Sequence, residues 1–301
     1  MGKHITQIFL KNYGPYNIFV TKGAINVLRF KDLPDAMCYF CVSLATYSMH
    51  LFSRKLGEGR PFVVLHGVFG SSDNLFTVCK KISEAGFEAH ILDARNHGQS
   101  PRSEDFNYEV MAADLNEYLD TNHIQDPIIM GHSMGGKTVM TFAQKYTNFS
   151  KIIIIDIAPR FYPTHHNHIL AGLVAIDLDK LASRKDAEDI FSNYVSDFGE
   201  KQFILKNLYR TDEGGFDWRI NIPVISKEIY QIGGEVFLDK TVDKPTLLIR
   251  GSDSSYVTDA DFAVFKAAFI NAELLTIDGA NHWVHATKPT EFVEVILEFS
   301  A

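Results

Sequence analysis

The segment Gly131-His132-Ser133-Met134-Gly135-Gly136-Lys137-Thr138 joins a short apolar run, Ile128 to Met130, to a stretch of helical periodicity, Met134 to Tyr146. Glycines gathered where a strand turns into a helix permit a bend that few other residues tolerate, so this segment constrains the fold more than any other. It satisfies two patterns that belong to different chemistries. As G-x-S-x-G it holds the Ser133 hydroxyl outward on a strained turn, ready to act as a nucleophile. As G-x-x-x-x-G-K-[ST] it offers Gly136, Lys137 and Thr138 to phosphates and Mg²⁺. The run Ile152-Ile153-Ile154-Ile155-Asp156 mimics the apolar strand whose aspartate holds the metal in such an enzyme.

The surrounding chain alternates short β-branched runs with helix-period segments. Strands are expected at Phe62 to Leu65, Ala89 to Asp93, Ile128 to Met130, Lys151 to Asp156, Thr246 to Arg250 and Glu273 to Ile277. Helices are expected at Asn74 to Ala85, Tyr108 to Asn122, Met134 to Tyr146, Ala260 to Ala268 and Pro289 to Phe299. Such repetition predicts an α/β fold, a mostly parallel central sheet flanked by helices. The alternation stops between Pro159 and Asp239, where helix-like segments recur near His168 to Ile176, Asp186 to Phe198, Glu200 to Tyr209 and Val224 to Ile232. An all-helical lid over 159–239 is therefore expected, inserted into a core of 49–158 and 240–301. Residues 1–48 fit neither part and form an N-terminal extension of unassigned role.

The two readings of the loop differ in what else they require. A serine nucleophile needs an upstream oxyanion loop, an acid and a late histidine, in that order after the first strand, and all can be found. The loop Leu65-His66-Gly67-Val68-Phe69-Gly70 follows the first buried strand. Backbone N–H groups of Val68 and of Met134 are the candidate oxyanion hole, with His66 read as a packed residue that fixes the loop. The base is His282, in Asp278-Gly279-Ala280-Asn281-His282-Trp283, while His285 packs or caps. The acid has two candidates. Asp253 follows the strand after the insertion but lies one residue early for G-x-x-D, where Ser254 stands; Asp156 ends the strand before the insertion and is favoured.

Other polar clusters read as structural. His165-His166-Asn167-His168 lacks neighbouring carboxylate or thiolate partners and is expected at a solvated edge of the insertion. Asp93-Ala94-Arg95-Asn96-His97-Gly98-Gln99-Ser100 is expected to order loops beneath the site, with a substrate role for Asn96 or His97 left open. Cys38-Tyr39-Phe40-Cys41 is a C-x-x-C without a second pair, and three cysteines in all favour a reducing, cytoplasmic compartment.

The formal charge is −8, from 29 Lys+Arg against 37 Asp+Glu, and no basic run appears, which argues against a nucleic-acid partner. The apolar stretch from Ala36 to Phe52 is interrupted by Ser43, Thr46, Ser48 and His50 and is shorter than the ~20 residues of a spanning helix, so no stable membrane insertion is expected.

Five segments then resemble the YbfF-like esterases of the α/β-hydrolase superfamily: Leu65-His66-Gly67-Val68-Phe69-Gly70-Ser71, Asp93 to Ser100, Gly131 to Lys137, Asp156-Ile157-Ala158-Pro159 and Ala280-Asn281-His282-Trp283. The likeness runs from about Met49 to Ala301. It implies an α/β-hydrolase fold and a serine hydrolase acting on small carboxylic esters or acyl thioesters, with no metal or organic cofactor. It also supports Asp156, because that family commonly leaves the later acid position vacant. Asn281 departs from the glycine usual before the histidine, and Leu75 from a tryptophan common near the pocket. Alternatives within the fold are C–C bond hydrolysis, acyl transfer or a small-molecule binding protein.

Overall fold

The computed structural model describes residues 16–21, 24–29, 48–163 and 166–301. The chain divides into two units, Met1–Ser48 and Met49–Ala301. In the first, β1 (Tyr16–Thr21) pairs antiparallel with β2 (Ala24–Arg29). Cys38, Cys41 and most of the apolar stretch 36–52 lie outside the described residues. Among the described residues no helix is long and apolar enough to cross a membrane.

The second unit is built on β3 (Ser53–Leu56), β4 (Arg60–Leu65), β5 (Phe87–Leu92), β6 (Ile128–His132), β7 (Lys151–Ile155), β10 (Thr246–Gly251) and β11 (Ala272–Ile277). They form one sheet in the order β11-β10-β7-β6-β4-β5-β3. Every neighbouring pair is parallel except β3 and β5. Successive residues of the central strands face opposite cores, which is why these strands read as unbroken apolar runs rather than alternating ones. Phe62, Val64, Met130 and Ile153 pack with α1 (Ser72–Glu84) and α10 (Pro289–Ser300). Val63, Leu65, Ile129 and Ile154 pack with α2 (Tyr108–Thr121) and α3 (Met134–Lys145) on the other face.

Composition does not predict β3. Its Ser-Arg-Lys-Leu is mostly half-exposed, as suits an edge strand carrying charge against further pairing. Leu75 is 1% exposed in the core shared by α1 and α10, lines neither cavity containing Ser133 and has no contact role at the pocket.

Between β7 and β10 lie α4 (Asn167–Ala175), α5 (Arg184–Phe191), α6 (Phe198–Leu205) and α7 (Ile222–Gly233), while α8 (Asp259–Ala268) follows β10 and α9 (Val284–Thr287) follows β11. This insertion is not all-helical. The helix expected through Tyr209 stops at Leu205, and β8 (Leu208–Arg210) turns back on β9 (Phe216–Trp218). Phe216 and Trp218 are buried around a half-exposed Asp217, a period-two pattern too short to stand out in a sequence. The turn between them uses Gly214 at φ 90°. Ile169, Leu173, Leu205 and Ile225 of the insertion join the core on the α2/α3 face, so it packs as part of the second unit. It leaves the sheet at the C-terminal end of β7, the end where such sheets place their sites, and the chain then runs back to enter the parallel neighbour β10 at its N-terminal end.

Candidate active site

Four loops at the C-terminal ends of adjacent strands each carry a non-glycine residue at positive φ: Phe69 at 61° after β4, Asn96 at 66° after β5, Ser133 at 51° after β6 and Asp156 at 49° after β7. Each such conformation costs about 1–3 kcal/mol and persists only where its surroundings enforce it. At Ser133 the enforcement is steric and hydrogen-bonded. A Cβ on Gly131 would meet the Gly135 carbonyl at 2.3 Å, and one on Gly135 would meet the Leu65 carbonyl at 2.5 Å. The Ser133 N–H donates to Ile155 O at 3.1 Å, extending the β6–β7 pairing by one residue. α3 begins at Met134, so its N–H is among the donors without an intrahelical acceptor, at the positive end of the helix dipole.

The loop after β4 is held by two histidines. Ala94 N–H donates to His66 Nε2 at 3.0 Å, which leaves the proton on Nδ1 to reach Gly67 O at 2.7 Å. Phe69 N–H donates to His97 Nε2 at 3.3 Å, and His97 Nδ1 donates to Arg95 O at 2.9 Å. Both rings act in the neutral form, and burial favours that form: it lowers His66 and pushes His97 down to about 3. Asn207 of the insertion donates from Nδ2 to Phe69 O at 2.7 Å. Val68, at the tip, lines a narrow cavity together with Ser133 and Met134.

Most of the polar island after β5 is engaged in structure. The Asp93 carboxylate accepts from Ser72 N–H at 2.6 Å and Gln99 N–H at 2.8 Å. Arg95 forks onto Asp114 with two bonds of 2.6 Å. Asn96 Oδ1 accepts from Ser103 N–H and from Asn221 Nδ2, each at 2.9 Å. Neither Asn96 nor His97 lines a cavity that contains Ser133.

His282 stands in the loop after β11, and its Nδ1 lies 2.8 Å from Asp156 Oδ2. Asp156 is completely buried while the His282 side chain is 18% exposed, so the pair has one dry end and one open end. The Asp156 N–H donates to Ile249 O at 2.8 Å, and its Oδ1 accepts from Gly251 N–H at 3.2 Å. Its Oδ2 also accepts from the Ser254 hydroxyl. Asp253 is exposed, and its carboxylate accepts instead from Ser252 Oγ at 3.1 Å. The structure thus brings Asp156, and not Asp253, to the His282 ring.

Neighbours to which sequence reasoning gave no role complete the arrangement. The Tyr256 ring stacks on His282 with centroids 3.7 Å apart. His132 donates from Nε2 to His282 O at 2.9 Å, and Asn281 Oδ1 bridges over His282 to accept from Trp283 N–H at 2.9 Å. That Asx-type bond gives the loop a form that its displaced glycine does not supply. His285 is buried with its ring centroid 4.9 Å from that of His132, and burial holds it down at about 4. Of the histidine-rich segment, His165 lies outside the described residues, His166 lines both cavities at Ser133, and His168 pairs with Glu200 at 3.7 Å. Only the G-x-x-D spacing pointed, faintly, at Ser254.

Lys137 points away from any phosphate site. Its ammonium donates to Arg160 O at 2.8 Å, to Gly233 O at 3.3 Å and to Gly234 O, and faces the Tyr162 ring at 4.7 Å. Those carbonyls belong to the segments by which the chain enters and leaves the insertion. The lysine that completes the phosphate-loop pattern is therefore spent on holding the insertion against α3.

Two cavities meet at Ser133. One, of about 250 Å³, is lined by His282, Trp283, Phe203 and Glu200. The other, of about 30 Å³, is lined by Met134, Ile157, Tyr162 and Ile232.

Residues 60–289 match the family described as the alpha/beta hydrolase fold. The chain is 36% identical over 251 residues to the sn-1-specific diacylglycerol lipase ABHD11 of Danio rerio, spanning 81% of this chain and 79% of that one. It is 35% identical over 243 residues to esterase YbfF of Escherichia coli (strain K12), spanning 79% and 92%. A solved marine microorganism esterase superposes with a TM-score of 0.81 at 39% identity, over 84% of this chain and all of that one. With its parallel sheet, its serine on a strained strand-to-helix turn and these relatives, the chain belongs to the α/β-hydrolase superfamily, in the branch of the YbfF-like esterases.

Proposed function

We propose that this chain hydrolyses small carboxylic esters or acyl thioesters through an acyl-enzyme on Ser133. The reading rests above all on the 2.8 Å bond between His282 Nδ1 and Asp156, beside a serine held at φ 51°. With Nδ1–H donated to the carboxylate, His282 Nε2 is the basic nitrogen and takes the proton of the Ser133 hydroxyl as it attacks the carbonyl carbon. The tetrahedral oxyanion is stabilised by the N–H groups of Val68 and Met134, each such donor contributing about 2.7–4 kcal/mol to the transition state. Collapse expels the alcohol or thiol, protonated by His282. Water then attacks the acyl-serine with His282 as base, and the acid leaves.

Asp156 stabilises the imidazolium that forms twice in this cycle and holds the ring in the working tautomer. No step calls on a metal or organic cofactor. The relatives named as an esterase and a lipase support ester cleavage, and the scarcity of cysteine supports a reducing, cytoplasmic setting. The test is Ser133→Ala: hydrolysis of p-nitrophenyl acetate and labelling by a fluorophosphonate probe are both expected to vanish. Stoichiometric labelling of that variant, or unaltered turnover, rejects Ser133 as the nucleophile.

A further inference from the structure

The two cavities at Ser133 are unequal, and the chemistry decides which part of a substrate enters each. His282 must hand its proton to the leaving oxygen or sulfur, so the leaving group occupies the chamber that His282 lines, of about 250 Å³. The carbonyl oxygen sits against Met134 and Val68, and the acyl chain is directed past them into the slot of about 30 Å³. One water-sized probe occupies roughly 10–15 Å³, so the slot admits about two chain atoms beyond the carbonyl carbon.

The walls of that slot are tied. Tyr162 accepts on its hydroxyl from Ala158 N–H at 2.9 Å and donates to Tyr256 O. Tyr108 donates to Ile232 O, at the end of α7. Lys137 holds the carbonyls of Gly233 and Gly234 immediately beyond. A longer chain would have to break several buried hydrogen bonds to make room, at a cost well above what an added methylene returns.

We propose that the enzyme is selective for short acyl groups, acetyl and propionyl, carried on a larger alcohol or thiol, with Ile229 and Ile232 closing the far end of the slot. This rests on the hydrolase reading of Ser133 and His282 and narrows it to a substrate class. The experiment compares kcat/KM for p-nitrophenyl acetate, propionate, butyrate, hexanoate and octanoate in the wild type, Ile232→Ala and Ile229→Ala. In the wild type a fall of about tenfold or more is expected from propionate to hexanoate. Each alanine variant is expected to raise the hexanoate-to-acetate ratio by about tenfold; the second keeps the test open if the first does not fold. Octanoate cleaved as well as acetate, or folded variants with unchanged ratios, overturns the proposal while leaving ester hydrolysis intact. Absence of Ser133-dependent cleavage of every ester overturns the hydrolase reading itself, and with it this proposal.

Discussion

The Ser254 hydroxyl donates to Oδ2 of Asp156, the same oxygen that meets the ring N–H of His282. Ser254 occupies the place after β10 where the G-x-x-D spacing calls for an acid. The carboxylate has moved to the end of the neighbouring strand β7, and the vacated position supplies a donor to it. A carboxylate charged, buried and held by three donors is fixed in direction as well as in charge.

Asp156→Asn is expected to lower kcat by as much as ~10⁴, because the asparagine holds His282 in the wrong tautomer or not at all. Asp253→Asn removes only an exposed contact to Ser252 and should leave kcat near the wild-type value. Steady-state kinetics on p-nitrophenyl acetate separate the two, and the reverse ranking would mean that Asp253 is the acid.

Ser254→Ala removes one hydrogen bond to a buried charge, an interaction of about 1.5–3 kcal/mol. A drop in kcat of about tenfold with little change in KM is expected, since the group acts on Asp156 and not on bound substrate. A change confined to KM would speak against this positioning role.

Five buried histidines among the described residues bear on acid stability. Burial lowers His66, His90, His97, His132 and His285 below the ordinary value of 6.5, with His97 at about 3 and His285 at about 4. Below pH 6.5 the unfolded chain binds protons that the folded chain refuses, so stability increases with pH and is lost as pH falls from 6.5 towards these folded values. Each histidine adds a slope of up to about 1.4 kcal/mol per pH unit. Urea midpoints should fall steeply between pH 6.5 and 4.5, and His285→Leu should soften the fall. Midpoints that stay constant from pH 7 to 5 would contradict the buried, neutral state of these rings.

Lys137→Met strands the half-buried carbonyls of Arg160 and Gly234, at about 1–3 kcal/mol each, while Gly233 O still accepts from Tyr162 N–H. At about 2–4 °C per kcal/mol for a chain of this size, a fall of several degrees in Tm is expected. No dependence on Mg-ATP should accompany it. A melting temperature that rises with Mg-ATP in the wild type and not in the variant would restore the phosphate-loop reading.

The strands β4, β5, β6, β7, β10 and β11 and the helices between them were legible because each is specified by a local period and bounded by turn residues. The hairpin β8–β9 and the edge strand β3 were not, since three or four residues carry too little pattern to outweigh their surroundings. Ser133, His282 and the loop around Val68 stood out because a nucleophile elbow imposes glycines at fixed spacing. Tyr256, His132 and Ser254 did not, because nothing in their own neighbourhood in the chain records what they touch.

By itself the sequence determined the parallel α/β architecture, the bend at Ser133 and the order in which the polar loops arrive, all of them consequences of local spacing and sterics. The pairing of His282 with Asp156 in preference to Asp253, the use of Lys137 as a tie for the insertion, and the unequal cavities on the two sides of Ser133 were decided only by the tertiary structure. Each depends on which strand ends the sheet order sets side by side. β7 lies between β6 and β10, so the residue that ends it reaches both the elbow and the loop after β10. Asp156, which the sequence only favoured, and Asp253 are separated there by burial and by direction.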